Sequence, residues 1–156
     1  MIDPDLALRW LHVIGAAILL GTGAGIAFFM LMAHRTGDPR LVAHTAGIVV
    51  VADLIFTATA VIAQPVTGIM LAVRTGWPLD TFWIVVSLLL YGVTGAFWLP
   101  VLWMQLRMRD LARAAVVESA ALPPKYHQLF RLWFWFGFPA FASVLGIFWL
   151  MIARPL

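Results

Sequence analysis

The chain has 156 residues, 63% hydrophobic and 11% charged, with a mean hydropathy of +0.99. Soluble domains average roughly 45–50% apolar and 25% charged residues, so a soluble globular domain is excluded, and the long apolar blocks exclude a disordered or low-complexity chain. With no cysteine there is no disulfide, iron–sulfur or thiolate chemistry, and the ten Lys and Arg against seven acids sit mostly beside apolar blocks, where membrane orientation explains them better than nucleic acid does.

The pattern predicts an all-α polytopic membrane protein: one domain over residues 1–156, folded as an antiparallel four-helix transmembrane bundle. A bilayer core of roughly 30 Å takes about 20 apolar residues per helix. Four blocks qualify: about Leu6 to Ala33, Leu41 to Val73, Thr81 to Leu106, and Tyr126 to Ala153. Asp3 and Asp5 lead the first block where a cleavable signal would be basic, so it is expected to remain as a span. The connections His34 to Arg40 and Arg74 to Asp80 are short, as antiparallel neighbours require. The third, Arg107 to Lys125, is expected to continue as a basic helix with Met108, Leu111, Ala115 and Val116 at helical spacing, lying against lipid headgroups, before Pro123 and Pro124 reset the chain.

Lys and Arg favour the cytoplasmic side of short loops. Arg35, Arg40, Arg107, Arg109, Arg113, Lys125 and Arg131 lie at one set of ends, and Arg9, Arg74 and Arg154 at the other, which places both termini outside. Most of the eight Trp are expected as interfacial anchors, with Trp98 and Trp135 deep enough to line a cavity.

Within the spans the informative residues are the polar ones, because charge is costly in hydrocarbon and faces the bundle interior. Asp53, Thr57, Ala60, Gln64 and Gly68 share one face of the second span, and Ser87, Tyr91, Thr94 and Trp98 run along the third. Two such stripes are expected to face each other, either as interhelical glue with a neutral Asp53 donating its proton or as a relay or substrate contact. His12 shares a face with Gly15, Leu19 and Thr22, and Gly15 leaves room for a bulky group such as a planar macrocycle. Spacing alone leaves His12 as either a hydrogen-bonded structural histidine or a haem ligand. His34, His44 and His127 lie at the opposite ends of the spans; a second haem or a metal held by His44 and His127 is the rival to plain interfacial histidines. Pro65 and Pro139 each free a backbone carbonyl one turn earlier and are expected to widen the interior. No HExxH, Walker, GxSxG or paired-carboxylate pattern is present, which leaves hydrolase and nucleotide-driven chemistry without support.

The segments Trp10 to Gly15, Ala52 to Thr57, Gln64 to Gly68, Gly76 to Leu79, Trp98 to Val101 and Phe148 to Pro155 resemble, in order, a family of bacterial four-span integral membrane proteins of unknown function. More distantly the chain is similar to HemJ-type membrane protoporphyrinogen oxidases and to CopD-like membrane proteins. The HemJ-type pattern corresponds here to Arg9 and His12, Gly21 and Gly23, His34, Pro65, Gly76 and Trp77, Phe130 and Arg131, Pro139, and Arg154 and Pro155. That resemblance implies a haem ligand at His12. It also implies a Lys at the start of the third span and a Tyr-His pair later in it, where this chain has Asp80 to Trp83 and Tyr91-Gly92.

The leading expectation is a bacterial inner-membrane protein with periplasmic termini that binds haem b through His12. Arg9 would stand near a propionate, with Gly15 and Gln64 beside the cofactor. Asp53 and Tyr91 would act as the catalytic pair, passing protons or hydrogen bonds to a quinone or porphyrin-type partner. A second axial ligand would be absent or supplied by a homodimer. The rival is an accessory subunit of a larger membrane complex that packs through Gly21 to Gly25; proton-coupled transport along the Asp53 stripe is a third reading.

Overall fold

The computed structural model describes residues 3–155. Among the described residues four helices are long and apolar enough to cross a membrane: α1 (Pro4–Thr36), α2 (Pro39–Arg74), α3 (Phe82–Val117) and α4 (Pro124–Ala153). They form the expected all-helical, antiparallel four-span bundle. Local chemistry marks the boundaries. Asp3 and Asp38 cap α1 and α2 by accepting from the amides of Asp5 and Arg40, each with Pro in the first turn. Gly37 ends α1 in the left-handed region at φ 67°, and its amide returns to the His34 carbonyl. Only Gly37 and Asp38 separate α1 from α2, so the second span begins almost where the first stops.

Below, the end carrying both termini and the 75–81 turn is called the terminal end, and the opposite one the loop end. At the loop end the four helices pack on a common core that includes Met30, Val42, Met104, Met108, Tyr126 and Phe130. The expected headgroup-lying arm is corrected here. Helix α3 runs unbroken to Val117, Met108 and Ala112 are buried in that core, and Ala115 is buried one turn further on. Their i, i+4, i+7 spacing makes an apolar stripe that α2 and α4 cover, leaving only the arginine-bearing face outside.

Toward the terminal end the helices sort into two pairs. The second half of α2 packs on α1, and α4 packs along α3, while the second half of α2 and α3 make little contact. Only a small cluster of Ala72, Trp83 and Ile84, supported by Trp77, Leu150 and Met151, closes that end. Asp5 and Arg74 pair across the start of α1 and the end of α2 at 2.5 Å. The space between the two pairs is where the polar residues of the spans collect.

Candidate functional site

The α1–α2 contact is built from two glycines and two polar side chains that seat reciprocally. Gln64 occupies the space beside Gly15, where a Cβ would collide with its amide nitrogen, and donates from Nε2 to the His12 carbonyl at 2.9 Å. The His12 ring lies over Gly68, whose added Cβ would meet His12 Cε1 at 3.1 Å. The room expected at Gly15 for a macrocycle is therefore filled by Gln64, because a buried amide must find a partner and the glycine lets it reach the neighbouring backbone. His12 Nδ1 stands 2.8 Å from Thr67 Oγ1. That hydroxyl also reaches the Ala63 carbonyl at 2.8 Å and so directs its proton there. The network thus assigns the ring proton to Nδ1 and leaves the Nε2 lone pair free. Thr67 was missed from sequence; its signal was the pairing Thr67-Gly68 one turn beyond Gln64.

Pro65 has no amide to give to the carbonyl of Val61, four residues earlier. The Tyr91 hydroxyl of α3 donates to that carbonyl. Tyr91 thus bridges the slit between α2 and α3 and satisfies a backbone group that lipid would leave stranded. Ser87 and Thr94, also on the expected stripe, bond to carbonyls of their own helix, those of Trp83 and Leu90.

Asp53 begins a π-turn, Asp53–Thr57, inserted in α2. The extra residue was not legible in the periodicity, and such insertions recur at functional sites. Asp53 is 2% exposed. Trp98 Nε1 donates to its Oδ1 at 3.2 Å. Gln105 Nε2 donates to its Oδ2 at 2.9 Å while Gln105 Oε1 accepts from Trp133 Nε1 at 3.2 Å. Asp53 is therefore an acceptor toward both partners. One turn on, the Thr57 hydroxyl is buried without a hydrogen-bond partner. The expected cavity tryptophans are corrected in part: Trp98 lines the interior, Trp135 is 68% exposed on the lipid-facing side, and Trp133 takes the inward position. Gln105 and Trp133 were missed because both lie toward the loop ends of the expected spans, Thr81 to Leu106 and Tyr126 to Ala153, where a polar or indole side chain reads as interfacial.

These groups surround one cavity of about 1000 Å³ between the helix pairs. Arg9 and Arg154 stand among its lining residues on α1 and just past the end of α4, His12, Gln64 and Tyr91 lie part-way along, and Asp53, Trp98 and Gln105 are at the loop-end side. Most of the remaining wall is apolar and aromatic, and Met151 adds a thioether. Small-molecule and cofactor sites have this make-up, mostly apolar with a few placed polar groups, and volumes of about 300–1,000 Å³. A neutral imidazole of fixed tautomer, facing an apolar chamber with guanidinium groups at one end, can ligate a metal-centred macrocycle and pair its carboxylates.

The loop-end histidines do not join this site. The His34 ring stacks on Phe130 at 3.6 Å and 8°, and its Nδ1 is 3.3 Å from the Tyr126 hydroxyl. His127 meets His34 edge-on at 5.7 Å, whereas His44 lies apart in a groove beside Arg113. Among the described residues no group of three or more His, Cys, Asp or Glu side chains converges as a metal cluster would.

The fold and site define a four-span integral membrane protein with a polar-tipped apolar chamber. The chain belongs, over residues 6–155, to the family described as predicted integral membrane protein (DUF2269). No curated protein and no solved structure matches it.

Proposed function

We propose that the chain is a haem b-binding redox protein of a bacterial inner membrane, with both termini periplasmic, that exchanges electrons with a quinone or porphyrin-type partner. The observation that carries this reading is His12: its Nδ1 is held by Thr67, its Nε2 is free, and its ring lines a cavity of about 1000 Å³. Histidine ligands to metals are characteristically oriented through the other ring nitrogen in this way. His12 would hold the iron, Arg9 and Arg154 would pair with the haem carboxylates, and the Met151 thioether would offer a further ligand from the lining. The group would supply one-electron transfer when bound. Asp53, with Thr57 beside it, would accept or position a proton at the loop-end side of the chamber. Tyr91 and Gln64 hold the walls.

The test is an absorption spectrum of the protein purified in detergent from a haem-replete host. A Soret band is expected, lost in His12→Ala, with retention weakened about 10–100-fold in Thr67→Val, the size typical of losing a ligand's orienting partner. A colourless protein, or a band indifferent to His12→Ala, overturns the reading. A second reading, an accessory subunit of a larger complex or a homodimer, draws on Gly21, which is exposed and meets nothing within 4 Å of an added Cβ. Pigment-free co-purification of a stoichiometric membrane partner would favour it.

A further inference from the structure

A second concavity lies away from the chamber, where the first half of α2 meets the loop-end part of α3. It is a groove of about 660 Å³ lined by residues that include His44, Gly47, Ile48, Val51, Phe56 and Arg113. Gly47 brings the Arg113 guanidinium against the α2 backbone, with Nη2 3.4 Å from where a Cβ would stand. The neighbouring Arg109 is paired with Asp110 at 2.8 Å, whereas no acidic group pairs with Arg113 among the described residues. Arg113 and His44 therefore stand together at one end of the groove as a guanidinium and an imidazole without a counter-ion.

From this polar end the groove follows Ile48 and Val51, both exposed, to Phe56 beside the π-turn. His44 to Phe56 covers about 18 Å at 1.5 Å per residue, close to the roughly 15 Å that one leaflet occupies in a 30 Å hydrocarbon core. The two features together, a cationic head position and an apolar track one leaflet long, match a single amphiphile lying parallel to the helices. We infer that this groove is a specific site for an anionic phospholipid, with its phosphate between Arg113 and His44 and an acyl chain along Ile48, Val51 and Phe56. A planar fork suits bidentate contact with phosphate, and basic residues close to the membrane surface each favour anionic lipid by about fivefold.

Native mass spectrometry of the full chain in detergent tests the site, using phosphatidylglycerol and phosphatidylcholine with identical acyl chains. One phosphatidylglycerol is expected to be retained at about fivefold or greater preference. Arg113→Gln should remove the preference, Gly47→Leu should fill the groove and lower retention of that lipid, and Arg35→Gln, outside the groove, should change neither. Equal retention of the two lipids overturns the inference, as does a preference that survives both groove variants. Displacement of phosphatidylglycerol by millimolar inorganic phosphate would overturn it too, since the acyl track would then contribute nothing. Should Arg113→Gln fail to elute as a folded species, Gly47→Leu decides the matter, because it fills the groove without removing a charged residue.

Discussion

At Gly15 a single missing methyl decides how α1 and α2 meet. The amide of Gln64 lies where the Cβ would be, and its hydrogen bond to the His12 carbonyl exists only because the glycine lets it in. Gly15→Ala is expected to destabilise the protein by about 1–3 kcal/mol, the usual range for overpacking a close contact. In a Gln64→Ala background the same substitution should cost little. Reversible unfolding in mixed micelles measures both, and equal penalties in the two backgrounds would show that the amide does not occupy that space. The same scale explains what the sequence hid. His12, Asp53, Gln64 and Tyr91 are recognisable as polar residues in apolar spans, but their partners are a backbone carbonyl, a threonine, an indole and a glutamine from other helices, and no spacing rule links such pairs.

At the scale of elements, Pro65 and Tyr91 form one device. The proline strands the Val61 carbonyl, and a hydroxyl from the next helix answers it. Tyr91→Phe is expected to cost about 1 kcal/mol, in the range of hydrogen bonds measured inside membranes. With Pro65→Ala the backbone amide at position 65 can serve Val61 itself, so Tyr91→Phe should then be nearly silent. A double-mutant cycle reads the coupling, and a cycle that closes at zero removes the device. The π-turn at Asp53 is the counterpart on the same helix. Across it Asp53 and Thr57, which the i, i+4 spacing already puts on one face, both stay buried, while the π-turn itself leaves no mark in the sequence period.

For the whole molecule, the consequence is a bundle tightly filled at one end and parted at the other. The loop end carries large interlocked residues such as Met30, Met108 and Tyr126, each fully buried, whereas the terminal half holds the chamber. The proposed orientation puts the chamber's arginine-bearing end on the periplasmic side. Because the chain has no cysteine, single-cysteine variants report this cleanly. In intact cells a membrane-impermeant maleimide is expected to label Asp80→Cys, on the 75–81 turn, and to label Ala121→Cys only after permeabilisation. The opposite pattern would invert the topology and move the chamber's mouth to the cytoplasm.

The spans, their number and their antiparallel order were determined by the sequence alone. The reason is that the bilayer sets the length of an apolar helix and the caps at Asp3, Asp38 and Gly37 are local chemistry. The inward residues His12, Asp53, Gln64 and Trp98 were legible for the related reason that polarity in hydrocarbon is conspicuous wherever it occurs. Only the tertiary structure decided that Gln64 fills Gly15, that Tyr91 serves Val61, that the end of α3 is core rather than a headgroup-lying arm, and that Trp133 rather than Trp135 turns inward. Each of these depends on which helix faces which and at what rotation, a property of packing between segments far apart in the chain. Hydropathy along any one segment is the same before and after that choice is made.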